Sequence, residues 1–114
     1  MTLIENTLSL ETLRQMSAKM SEPMVKAVVD IETNEIVVDA GLHSDEELFL
    51  LERGSAQENL WGINLWPDAY ETNDFVEFDS MINIRPRQNN RSRGVEDVTI
   101  QQKIIQIVKD KIHE

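Results

Sequence analysis

Between Arg85 and Gly94 four arginines, Arg85, Arg87, Arg91 and Arg93, are interleaved with Gln88, Asn89, Asn90 and Ser92, and no acid interrupts residues 85 to 93. A guanidinium fork binds carboxylate or phosphate through two parallel N–H bonds, and amide side chains such as Asn89 and Asn90 add further donors. The segment runs into a helix predicted to start at Asp97, and a helix start favours anions. Arg85, Arg87, Arg91, Arg93, Asn89 and Asn90 are therefore candidate ligands for an anion or a phosphate-bearing small molecule. Against this stands internal pairing: residues 1 to 84 carry 17 acidic and 4 basic side chains, so the same arginines have ample partners within the molecule that would simply pin the loop down.

A second constellation comes from strand alternation, which assigns Asp30, Asp39, Asn64, Glu77, Asp79, Asn83 and Arg85 to one polar sheet face, with His43 just beyond the second strand. Clustered carboxylates can hold a hard cation, or push each other's pKa values apart so that one serves as acid and another as base. An enzyme would draw its acid or base from His43, Glu77 or Asp79 and stabilise charge with Arg85, Arg91 and Arg93. The plainer reading is a solvated sheet face. His43-Ser44-Asp45 is not a triad, since triad members meet through the fold. In the stretch from Asp30 to Glu35, Glu35 stands where a calcium loop needs glycine. No phosphate loop, dinucleotide fingerprint or Gly-x-Ser-x-Gly motif is present. The absence of cysteine removes disulfides, thiolate metal sites and cysteine nucleophiles together. No catalytic residue, metal or cofactor is assigned.

These groups must be positioned by one domain, residues 1–114. With 40% hydrophobic and 28% charged residues the chain is globular in composition. Its net charge of −10 repels nucleic acid and anionic membranes, so an anion partner must be local or small. No basic stretch leads an apolar run of signal-peptide type at the start, and no apolar run nears the roughly 20 residues of a membrane span; the expectation is a cytoplasmic protein with no specific nucleic-acid or membrane partner.

Ser9 is placed to cap a helix bearing Leu10, Leu13, Met16 and Met20 on one face and ending before Pro23. From Met24 the period becomes two, through Ile31; Glu32 to Glu35 is a turn, and Ile36 to Asp39 returns, so residues 24 to 40 read as a hairpin. Ser44 and Glu47 form a capping-box pattern and Gly54 suits a helix end, so residues 45–53 read as a helix, with a buried strand as the alternative for Leu48 to Leu51. Trp61 to Leu65 and Val76 to Arg85 alternate as a second strand pair stopped by Pro86, with Trp61 and Trp66 on opposite faces. Asp97 caps a last helix with Ile100, Ile104, Ile107, Val108 and Ile112 on one stripe. The expected fold is α+β: two β-hairpins forming a four-stranded antiparallel sheet, with N-terminal, central and C-terminal amphipathic helices on one face.

Met24 to Glu32, Leu42 to Glu47, Gly54 to Asn64 with its core Leu60-Trp61-Gly62-Ile63-Asn64, and Glu77 to Asp97 occur in an order that resembles domain of unknown function 5674, a family of short bacterial proteins. The chain departs from that pattern at Ser44, Arg87 and Val98, where Ala, Ser and Pro are expected. The resemblance implies no activity, cofactor or catalytic residue. The residues themselves favour a non-catalytic binding or regulatory module, a homo-oligomer, engaging an anionic ligand or an acidic partner through the arginine loop. The alternatives are a small enzyme acting on a phosphate-bearing substrate and a structural protein that self-associates. The first two differ in whether arginines and carboxylates face one shared pocket.

Overall fold

A computed structural model describes all residues from Met1 to Glu114. In chain order the elements are β1 (Thr2–Leu3), β2 (Leu8–Ser9), α1 (Leu10–Ser17), β3 (Val25–Asp30), β4 (Glu35–Val38), α2 (His43–Glu52), β5 (Leu60–Leu65), β6 (Val76–Glu77), α3 (Val98–Lys111) and β7 (Ile112–His113). The α+β class and the first hairpin are as the sequence predicts. The sheet has five strands rather than four, in the order β1-β4-β3-β5-β6 with every pair antiparallel, and β2 and β7 form a separate parallel pair that ties the two ends of the chain together.

The helices are not confined to one face. Alternation along β3 sends Val25, Ala27 and Val29 into an 18-residue core with Leu10, Leu13 and Met16 of α1 and Ile104, Ile107 and Val108 of α3. Val28 points the other way, into a four-residue cluster with Val37, Leu60 and Leu50 of α2. The sheet is thus the middle layer of three, with α1 and α3 on one side and α2 on the other. The sequence misleads here because the second face is half apolar and half polar: Val28, Val37 and Leu60 share it with Lys26, Asp30 and Asn64, which reads as a wet face when strand order is unknown.

Caps form mostly where the side chains dictate. The Ser9 hydroxyl accepts from Thr12 N (3.1 Å) and Asp97 Oδ1 from Thr99 N (2.8 Å). Gly54, at φ +104, closes α2 with Ser55 N donating to Leu50 O, a left-handed position that a side chain would strain. The Ser44–Glu47 capping box does not form. Helix α2 begins two residues earlier than that motif requires, and Leu42 precedes it with no side-chain cap.

The predicted strand from Val76 to Arg85 stops after Glu77. Beyond it a side chain takes over the edge of β5: Gly62 N donates to Asn83 Oδ1 (2.8 Å), and Asn83 Nδ2 donates to Gly62 O (2.9 Å) and Arg93 O (2.9 Å). One carboxamide supplies the donor and acceptor that a strand backbone would have offered, which frees residues 78–85 to leave the ladder and turn at Met81–Asn83. Ser80 then settles on Gly62, where an added Cβ would lie 2.6 Å from the serine Cβ and Oγ. Gly62→Ala should therefore cost about 1–3 kcal/mol. Combined with Ser80→Gly, the loss of unfolding free energy in denaturant titration should be smaller than the sum of the two single effects by at least about 0.5 kcal/mol. Strict additivity would show that these two residues do not pack together.

Candidate functional site

The four arginines go three ways. Arg85 lays its guanidinium over the Trp61 ring, 4.2 Å from the centroid, and donates through Nη1 to Gln57 O. Its Nε and Nη2 are buried without partners, and burial lowers its pKa from the ordinary arginine value. Arg87 and Arg91 are exposed and form no ion pair. Arg93 Nε meets Asp79 Oδ1 at 2.5 Å. Asn89 is exposed in a left-handed turn. Asn90 is 3% exposed and works internally: Nδ2 lies within reach of Asn83 O (2.7 Å), Gly94 O (2.8 Å) and Ser92 O (3.2 Å), while Oδ1 accepts from Glu96 N (2.9 Å). Glu96 closes the loop from outside by accepting from the N–H groups of Arg91 and Ser92, and those two bonds hold its carboxyl below the usual range.

Arg93 alone among them lines a cleft of about 540 Å³ at one end of the sheet, a volume within the range of small-molecule sites. Its floor is a cross-strand row on β3, β5 and β6, Lys26 beside Asn64 beside Glu77. Its walls are the start of α2 (Leu42, His43, Ser44) and the turn from Asp79 to Ile82. The sequence-predicted His43, Glu77, Asp79 and Arg93 thus face one pocket, whereas Arg85, Arg87, Arg91, Asn89 and Asn90 do not line it.

Each floor residue is set by its neighbours. Asn64 is 4% exposed and directs both hydrogens of Nδ2 to acceptors, Glu77 Oε1 at 2.9 Å and Asp79 O at 3.3 Å; its buried Oδ1 has no donor. Trp66 Nε1 donates to the same Glu77 Oε1 at 3.2 Å. His43 Nε2 lies 2.8 Å from Ile63 O. A carbonyl can only accept, so Nε2 carries the proton and the neutral ring keeps its lone pair on Nδ1. Burial pulls the His43 pKa below 6.5, the Ile63 bond opposes that, and the nearby Lys26 charge adds to the lowering. Lys26 itself makes no ion pair.

Glu46 lies one turn along α2, on the stripe His43, Glu46, Leu50 that faces the sheet. It is fully buried; Oε2 accepts from Ala40 N at 3.2 Å and Oε1 has no partner. Burial pushes its pKa up to about 9, against the opposing pull of the Ala40 bond and Lys26. The sequence places Asn64 on the polar sheet face but gives neither Glu46 nor Lys26 a part in the site. The signal for Glu46 was its spacing of three from His43 and four from Leu50, which puts all three on one helix face. No three His, Asp or Glu side chains gather to hold a metal ion, and no helix is long and apolar enough to cross a membrane.

In sequence comparison, a family model described as "Protein of unknown function (DUF5674)" matches residues 2–111 of the chain. No curated protein and no solved structure matches it.

The Glu46 carboxyl keeps its proton in the fold up to about pH 9, whereas the unfolded chain releases it near 4.5. Between those values the native state binds more protons, so stability falls as pH rises, by at most about 1.4 kcal/mol per unit for one proton. His43 works in the opposite sense but only below 6.5, where the unfolded chain takes up the proton first. Above that pH the slope belongs to Glu46 rather than His43. Chemical denaturation of Glu46→Gln should show a flatter profile above pH 6.5 and a gain over the parent at the alkaline end; an unchanged slope would show that Glu46 is ionised in the fold.

Proposed function

We propose, for a chain that belongs to the DUF5674 family, that this protein is a binding module for a small ligand bearing an anionic group, held in the cleft between the start of α2 and Arg93. The observation that carries this reading is Lys26, a half-buried cation without an ion pair, on the floor of a cleft that the uncapped start of α2 also lines. Free N–H groups of a helix start and an unpaired ammonium both attract an anion. Arg93 adds its guanidinium, whose Nε is engaged by Asp79. The arginine loop then serves this site as a frame, through Arg85 on Trp61 and Asn90 at its centre, rather than as the binding surface itself.

A second reading, an enzyme acting on a phosphate-bearing substrate, draws support from His43. Its ring is neutral at neutral pH with a lone pair on Nδ1, and it shares the cleft with Lys26 and the Asp79–Arg93 pair, which is the arrangement a general base requires. Phosphate-ester hydrolysis that His43→Gln abolishes while ligand affinity stays unchanged would favour this reading over pure binding.

Inorganic phosphate at about ten times its dissociation constant should stabilise the parent by about 1.4 kcal/mol over chloride of equal ionic strength. The gain should persist in Arg91→Ala and vanish in Lys26→Met. The reverse pattern would return the site to the exposed loop, and no stabilisation by phosphate or acetate would remove the anion site altogether.

A further inference from the structure

From the cross-strand row on the cleft floor we infer that the ligand is zwitterionic, an α-amino acid with an apolar side chain. The inference rests on the binding reading above and adds the second charge and the side chain. Lys26 and Glu77 stand on either side of Asn64 in register, so with adjacent strands about 4.8 Å apart their backbones are separated by about 10 Å. They are opposite in charge, share one sheet face, and form no ion pair with each other. The buried amide between them has its donor groups satisfied and its Oδ1 without a donor.

A ligand carrying only an anion would answer Lys26 and leave the rest of the floor unanswered. Glu77 Oε1 accepts from Asn64 and Trp66, and neither donor is charged, so the carboxylate keeps its charge uncompensated. His43 Nδ1 is a further acceptor at the cleft. An ammonium group, with three N–H donors, answers Glu77 and these neutral acceptors, while its carboxylate meets Lys26 and the start of α2. The Asn64 oxygen at the middle of the row is a further acceptor without a donor, and an unmet buried acceptor is costly. At the lip, Leu42 is 58% and Met81 64% exposed, and Met24 and Ile82 continue the apolar lining. That rim suits an aliphatic side chain.

Titration calorimetry with leucine and its two halves, 4-methylpentanoate without the amine and isoamylamine without the carboxylate, tests this directly. Leucine should bind at least about tenfold more tightly than either half. Glu77→Gln keeps an oxygen for Asn64 and Trp66 while removing the charge, and it should weaken leucine by about tenfold and leave 4-methylpentanoate unweakened. Equal affinity for leucine and 4-methylpentanoate, or indifference of leucine to Glu77→Gln, would overturn the zwitterion while leaving the anion site in place. Binding by none of the three, together with failure of phosphate and acetate to stabilise the parent, would overturn the binding reading itself.

Discussion

The arrangement of the cleft depends on one side chain standing in for a strand. At Gly62 the edge of β5 needs a donor and an acceptor, and the Asn83 carboxamide provides both from a segment that is not running alongside. A buried backbone pair left unmet would cost more than most single contacts gain. With the edge satisfied at one point, the chain after Glu77 leaves the ladder, folds over Gly62 through Ser80, and returns past the same place, where Asn83 also binds Arg93 O and Ser80 N donates to that same carbonyl. Asp79, Ser80 and Arg93 reach the cleft by this route. Had β6 continued as a regular strand, these residues would have alternated between the two faces of the sheet.

Layering follows from the inequality of the two sheet faces. The face under α1 and α3 is apolar along all three central strands and carries the large core. The face under α2 is apolar only toward one end, at Val28, Val37 and Leu60; at the other end it is polar, where Lys26, Asn64 and Glu77 lie in register. A helix with a short buried stripe can seat on the first half and must stop at the second. Helix α2 does this with its start at the boundary, so Leu42, His43 and Ser44 line the cleft beside the polar row. Asp30, on the same face, is used structurally, holding the hairpin turn through Glu32 N and Thr33 N and receiving Ser55 Oγ.

Local signals proved legible in the sequence, and long-range ones did not. The caps at Ser9 and Asp97, the left-handed Gly54, the first hairpin and the isoleucine stripe of α3 are each written within a few residues, and the structure has all of them. The extension of β6 failed because alternation from Val76 to Ile84 cannot reveal that Asn83 will bond to Gly62, twenty-one positions away. The single helical face failed for a similar reason, since strand order decides which apolar residues share a side. His43, Glu77, Asp79 and Arg93 were singled out by residue type and meet in one cleft. Asn64 was legible only as part of a polar face and Lys26 not at all, because an isolated lysine in a strand looks like an ordinary outward position until register puts it beside Asn64.

The molecule's charge of −10 would seem to argue against any anion site, and the local chemistry answers it. Acids more than about 8 Å away across solvent are largely screened at physiological salt. Of the nearer ones, Glu46 is buried and protonated at neutral pH and Asp79 is paired with Arg93, while Glu22 on the cleft lining and Asp45 in the first turn of α2 are exposed to solvent, which screens them. The row on the cleft floor then has the unpaired Lys26 at one end and Glu77 at the other. An extended polyanion would lie within a Debye length of many of the chain's acids at once and is disfavoured, whereas a small ligand of zero net charge is unopposed.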